Sequence, residues 1–285
     1  MRTEKEMMEI ILDTAKDDEC IRAVIMNGSR ANPNAKQYPF QDYDIVFYVT
    51  DITPYIHNLE WVKRFGEIMN MQTPNPPYAN HCHFTILMQF IDGNRIDLNI
   101  RDLSKHNEIG YDSLSVVLLD KDSMIPALPP PNEIDYLPAP PSAQSYLDCC
   151  NEFWWVSVYV AKGLWREEIT YAKGLMDKVA REQLMMMLIW YAGMMSGYAI
   201  NIGMFGKYLK SCLEPEVWDE LMKTYSDAKI DRTWCALKTS CVLFRKIAVR
   251  VAEQFGYAYP YDGDRRVFAH LRHVRGLPRD AKEIY

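Results

Sequence analysis

No Cys-x-x-Cys pair occurs in this chain, and its seven cysteines, Cys20, Cys82, Cys149, Cys150, Cys212, Cys235 and Cys241, are scattered and odd in number. That usage argues against a disulfide framework or a cysteine-clamped zinc and predicts reduced thiols packed as small hydrophobes in a cytoplasmic protein. Long apolar runs are also missing. The longest, Leu184 to Met195, is too short to span a bilayer and reads as a buried helix. The start, MRTEKEMMEIILDTAKDDE, reads as too charged for a secretory leader. A basic excess is lacking as well: 38 acidic residues face 32 basic ones, for a formal net charge of −6. This argues against a general nucleic-acid binder, which carries a basic stripe, and is compatible with a cationic substrate. No internal repeat is visible.

What is present is an ordinary globular balance, 48% hydrophobic and 25% charged over 285 residues, enough for one large or two ordinary domains. Residues 3–18 carry helical spacing of Met7, Met8, Ile11 and Ala15. Ile21 to Met26 predicts a strand that turns at Asn27-Gly28, and Tyr43 to Val49 a second strand. Pro54 to Asn70 reads as a helix with Pro54 in its first turn. His83 to Ile91 and Arg95 to Ile100 read as a hairpin around Asp92-Gly93-Asn94, and Leu114 to Leu119 as a short last strand. Prolines at 126, 129, 130, 131, 138, 140 and 141 exclude regular helix or central strand there and mark a linker. Beyond it the periodicity becomes helical, over about 142–166, 170–200, 214–224 and 231–256, with the Met185-Met186-Met187 run, Trp154 and Trp155 read as core. The expected fold class is therefore α+β: a mixed β-sheet domain flanked by helices over 1–135, followed by an α-helical bundle domain over 136–285.

Two carboxylates stand out at the head of the second strand. Asp42 and Asp44 begin the run DYDIVFYV, and residues two apart on a strand point to the same face. Left alone they repel, so a cation is expected between them; a hard divalent ion held by oxygen, Mg²⁺ above all, suits the pair. In Arg95-Ile96-Asp97-Leu98-Asn99-Ile100 the isoleucines and leucine share one face and Asp97 and Asn99 the other. A charged carboxylate in an apolar strand is costly unless it meets a metal or a partner. Three such groups from two neighbouring strands predict a cup for one or two ions, and the Gly28-Ser29 turn beside them points to phosphate chemistry. His81-Cys82-His83 lacks further ligands at suitable spacing and reads as ordinary packing or solvation.

The order VIMNGSR, then DYDIVFYV, then RIDLNI resembles the nucleotidyltransferase superfamily typified by DNA polymerase β. Within it the chain is most similar to the bacterial aminoglycoside 6-adenylyltransferases, the streptomycin-modifying enzymes. The likeness includes NGSRANPNA, QDYDIVFYVT, CCNEFWWVSVYVAKGLWREEI, FGKYLK and AYPYD and runs over essentially the whole chain. The resemblance implies a nucleotidyltransferase-type first domain and a substrate-binding helical domain. It implies that Asp42 and Asp44 bind Mg²⁺ with the phosphates of ATP, and that Asp97 is a general base, a further metal ligand, or both. It implies that Gly28, Ser29 and Arg30 meet the triphosphate and that Lys207 reaches it from the helical domain, with Lys162 and Arg181 as weaker candidates. Streptomycin carries two guanidinium groups, so its pocket should offer carboxylates and aromatic faces; Glu152 leads, followed by Asp148 and Glu182.

The reaction so implied is transfer of AMP from ATP to the 6-hydroxyl of streptomycin, with pyrophosphate released and the antibiotic inactivated. Alternatives are another aminoglycoside, a metabolite or a protein as acceptor, or a nucleotide-binding or antitoxin-like module without catalysis. Intact Asp42, Asp44 and Asp97 speak against the last. The expected partners are ATP and a cationic aminoglycoside, with no nucleic acid and no membrane, and the expected state is a monomer.

Overall fold

β1 (Ile21–Asn27) and β2 (Tyr43–Val49) are adjacent interior strands of a six-stranded mixed sheet. The computed structural model describes residues 1–74, 83–105 and 111–285; His81 and Cys82 lie outside them. Two units are defined, Met1–Asp135 and Tyr136–Tyr285.

In the first unit the remaining strands are β3 (Ile68–Gln72), β4 (His83–Phe90), β5 (Arg95–Asp102) and β6 (Ser115–Asp120), in the order β3-β4-β5-β2-β1-β6. Among the described strands only β2 and β5 pair in parallel. Strand alternation sorts the side chains. Tyr43, Ile45, Phe47 and Val49 of β2, with Ile96, Leu98 and Ile100 of β5, enter the larger core under helix α1 (Glu4–Asp17). Val46 and Tyr48 turn to the opposite face, where Ala23, Ile25 and Leu103 make a smaller cluster. β2 is thus apolar on both faces except where Asp44 stands at its head. α1 is held at its start by a capping box between Thr3 and Glu6.

The segment 54–70 differs from the helix read in its sequence. It forms a short helix α3 (Thr53–His57), a 3₁₀ turn (Leu59–Phe65) capped by Asn58, and then β3. Gly66, at φ +134°, ends the turn, and Ile68–Gln72 joins β4 as an edge strand. The edge of β4 supplies hydrogen bonds that a further helical turn would have supplied internally, and Gly66 reverses the chain at the only residue type at ease with that φ. Between β1 and β2 the four residues Gly28–Ala31 make a single helical turn, α2.

The second unit is helical: α4 (Ala143–Trp165), α5 (Ile169–Leu175), α6 (Arg181–Met195), α7 (Leu209–Cys212), α8 (Pro215–Met222), α9 (Ile230–Phe255) and α10 (Tyr261–Gly276). The long helix expected over 170–200 is interrupted by a π turn at Met176–Ala180 that joins α5 to α6. α9 ends at Gly256, whose left-handed φ of +69° suits glycine. The core gathers Phe153 stacked on Phe244, Met187, Leu188 and Ile247. Trp154 belongs to that core at 4% exposed; Trp155, also read as core, is 64% exposed. One residue of helix advance is about 100°, enough to carry Trp155 from the buried face to solvent.

Candidate active site

Sheet register brings the polar residues into a row. Asn27 of β1 is the partner of Asp44 of β2, and Asp44 is the partner of Asp97 of β5. Cross-strand neighbours of this kind stand roughly 5 Å apart. Asp42 lies one residue ahead of β2, two from Asp44. Asn27 is itself held, its Oδ1 accepting from Ser115 Oγ at 2.8 Å.

The Gly28 turn interlocks with this row. A Cβ on Gly28 would stand 2.2 Å from Asp44 Oδ2, and φ there is +71°. Only a residue without a side chain lets the carboxylate lie against the turn in that conformation. Gly28 N–H is bonded to Leu114 O at 3.1 Å, tying the turn to the segment entering β6.

The cation among the carboxylates is Arg95, a residue with no role in the reading of the sequence. Its Nε and Nη2 donate to the two oxygens of Asp97 at 2.7 and 2.8 Å, a bidentate clamp. Its Nη1 lies 3.4 Å from Asp42 Oδ2. The signal was available: alternation puts residue 95 on the face of residue 97. One guanidinium does not balance three carboxylates. Asp44 is pushed up to about 6, first by burial and then by the charges of Asp97 and Asp42. Asp42 is also raised, by burial first, with Arg95 opposing. Among the described residues no donor bonds to the Asp44 carboxylate.

The expected three-carboxylate cup is not closed. Among the described residues, no three His, Cys, Asp or Glu side chains converge on one point suited to an ion, because both Asp97 oxygens are turned to Arg95. Asp42 and Asp44 remain: two hard oxygen donors, short of positive charge. Mg²⁺ is typically held by one or two carboxylates, with the rest of its shell from water and substrate phosphate, so the pair fits it.

Arg30 is committed elsewhere. It donates to the carbonyls of Asp42 and Gln41 at 3.1 and 2.9 Å, pairs with Glu4 at 3.2 Å and stacks on Tyr43 at 3.8 Å. It therefore fixes the chain entering β2, and with it the backbone of Asp42. Ser29 sits in α2, its carbonyl accepting from Gln41 Nε2 at 3.4 Å. Past Asn27 the same sheet face opens into a polar cavity of about 300 Å³ lined by Asn27, Tyr48, Arg101, Tyr111, Asp112 and Ser115 over Ile25 and Val46. The Tyr111 hydroxyl is buried and, among the described residues, without a hydrogen-bond partner.

In the helical unit, Asp148 and Glu152 are both exposed on α4, with Asp148 accepting from Gln144 at 2.8 Å. Trp155 and Tyr159 follow at helical spacing on the same side, their rings edge to face at 6.0 Å. Glu182 is exposed in the first turn of α6. Lys207 is exposed 5.0 Å from the Tyr208 ring, after a loop with left-handed φ at Gly203, Phe205 and Gly206. Arg181 is occupied by the Thr224 hydroxyl and carbonyl, both at 2.9 Å, and by the Tyr225 ring.

A mixed sheet whose parallel central pair presents aspartates beside a Gly-Ser turn is the arrangement of a nucleotidyltransferase. A family model described as streptomycin adenylyltransferase matches residues 1–274, and the chain belongs to that family. It is 40% identical over 270 residues to the aminoglycoside 6-adenylyltransferase of Bacillus subtilis (strain 168), covering 92% of this chain and 95% of that protein. Identity to the Campylobacter jejuni enzyme of the same name is 38% over 267 residues (92% and 93% covered), and to that of Staphylococcus aureus 32% over 268 residues (91% and 94% covered). The crystal structure of an aminoglycoside 6-adenyltransferase from Bacillus subtilis is 35% identical, covers 97% of this chain and 100% of its own, and superposes with a TM-score of 0.49.

Proposed function

We propose that this enzyme transfers AMP from ATP to the 6-hydroxyl of an aminoglycoside, streptomycin, and releases pyrophosphate. The observation that carries the reading is the Asp44–Asp97 pair in parallel register, with Gly28 packed on the Asp44 carboxylate. Curated relatives that match nearly full length are named as aminoglycoside 6-adenylyltransferases.

Asp97 takes the proton of the acceptor hydroxyl as its oxygen attacks the α-phosphorus, since a sugar hydroxyl is a weak nucleophile unaided. The P–O bond to pyrophosphate breaks as the new one forms, and alignment of the two oxygens contributes much of the rate. Gly28 admits the phosphates close to the backbone and Ser29 donates to one of them. Mg²⁺ held by Asp42, Asp44 and phosphate oxygens would neutralise charge growing on the transferred group and on pyrophosphate. Arg30 supports this end by holding the Asp42 backbone. Lys207, exposed on the helical unit, is a cation of the kind that pairs with a triphosphate. Asp148, Glu152, Trp155 and Tyr159 form an exposed acidic and aromatic face of the kind that binds guanidinium groups, with Glu182 as a further acid. The protein works as a cytoplasmic monomer, a reading that rests on its family and on described cysteines that are free.

The test is pyrophosphate release from ATP and Mg²⁺ with streptomycin as acceptor. Release with streptomycin supports the reading. Release only with another aminoglycoside keeps the chemistry and changes the acceptor; none with any aminoglycoside overturns it.

A further inference from the structure

We propose that Arg95 is the resident counter-ion of the carboxylate cluster, that it competes with the divalent metal for Asp42, and that its release frees Asp97 to act as the base. This rests on the reading of Asp42 and Asp44 as the metal pair. Arg95 bridges the two carboxylates on which the chemistry depends, Asp97 through Nε and Nη2 and Asp42 through Nη1. A dication on Asp42 would stand beside a guanidinium that cannot give up its charge. Repulsion between the two is strong at such separations, so the tighter the metal is held, the weaker the arginine's hold becomes. The side chain has room to leave: it is 36% exposed, against 18% for Asp97.

The second half follows from geometry. Both Asp97 oxygens accept from Arg95, so neither is turned to an acceptor hydroxyl while the clamp holds. As found, Asp97 is oriented but restrained. Arrival of metal and nucleotide would loosen the clamp at the step where a base is needed. Without them, Arg95 supplies part of the positive charge that keeps three carboxylates together.

The test is Mn²⁺ binding to the nucleotide-free protein, read by electron paramagnetic resonance, for wild type, Arg95→Met, Arg95→Lys and Asp42→Asn. Arg95→Met is expected to bind Mn²⁺ five-fold or more tightly than wild type. Arg95→Lys, which keeps the charge but not the bidentate grip, should fall between them and serves alone where the methionine variant does not fold. A purely structural arginine would leave Mn²⁺ affinity unchanged or weaker on substitution, and that result overturns the proposal. Loss of Mn²⁺ in Asp42→Asn supports the metal reading separately. Equal binding by Asp42→Asn and wild type would remove that reading and the proposal with it.

Discussion

Asp44 in the sheet unit and Asp264 in the helical unit are both carboxylates drawn out of water, and the two units treat them in opposite ways. Asp264 is 1% exposed and fully answered: Arg245 Nε and Nη2 donate to it, and Tyr259 adds its hydroxyl at 2.8 Å. It stands in the first turn of α10, where the helix dipole also favours a negative charge. Asp264 thereby pins α10 to α9. Asp44 has two repelling neighbours, and the nearest guanidinium is clamped to another residue. A buried acid matched by its own protein's donors contributes to holding the fold. One left short of donors destabilises the fold until a ligand supplies the charge.

The largest effect expected is on catalysis. Asp97→Asn removes the proton acceptor and should lower kcat by roughly 10²–10⁴-fold with the melting temperature little changed; initial rates of pyrophosphate release and a thermal melt measure both. A near-normal kcat would take the base role from Asp97 and blur the contrast.

Asp264→Ala tests the other side. It leaves Arg245 without its carboxylate and should cost about 3–5 kcal/mol of stability, the usual effect of breaking a buried pair, seen as an earlier denaturant midpoint. A loss below about 1 kcal/mol would mean that Asp264 behaves as a surface charge.

Gly28→Ala strikes where fold and site interlock. The added methyl meets the Asp44 carboxylate, and the left-handed backbone disfavours it further. Destabilisation of about 1–3 kcal/mol should come with a disproportionate loss of turnover. Unchanged turnover would separate the turn from the site.

A pH dependence completes the comparison. Folding raises Asp44 from 3.8 to about 6, so the folded protein binds a proton more tightly than the unfolded chain. The metal-free protein should therefore be more stable at pH 4 than at pH 7 by roughly 2–3 kcal/mol on account of this group, the advantage being lost as pH rises through 6. Asp44→Asn should remove that slope and raise the metal-free melting temperature at pH 7. A variant that melts lower than wild type at pH 7 would contradict the picture of a carboxylate held against its own electrostatics.

Much of this contrast was legible beforehand, in uneven measure. Asp42, Asp44 and Asp97 were readable because acids are rare in apolar strands, where they are costly. β1, β2 and the β4–β5 hairpin followed from apolar runs and turn residues, which act within a few residues of chain. α10 escaped notice although Pro260, the acids Asp262 and Asp264 and the bases His273 and Arg275 mark its two ends; its apolar positions are too few to display the period. The exposure of Trp155 turned on one residue of helical phase.

The sequence alone determined which residue types are available at which spacing: a glycine where the turn needs positive φ, aspartates two apart, a helical second half. These are local consequences of sterics and periodicity. Only the tertiary structure decided that β2 and β5 run side by side in parallel, that Asp44 therefore stands next to Asp97, and that Arg95 closes on one carboxylate rather than another. The first two depend on register between strands remote in the chain, which no short window of sequence contains; the third, although Arg95 and Asp97 are near neighbours, depends on where that register leaves the competing Asp42 and Asp44.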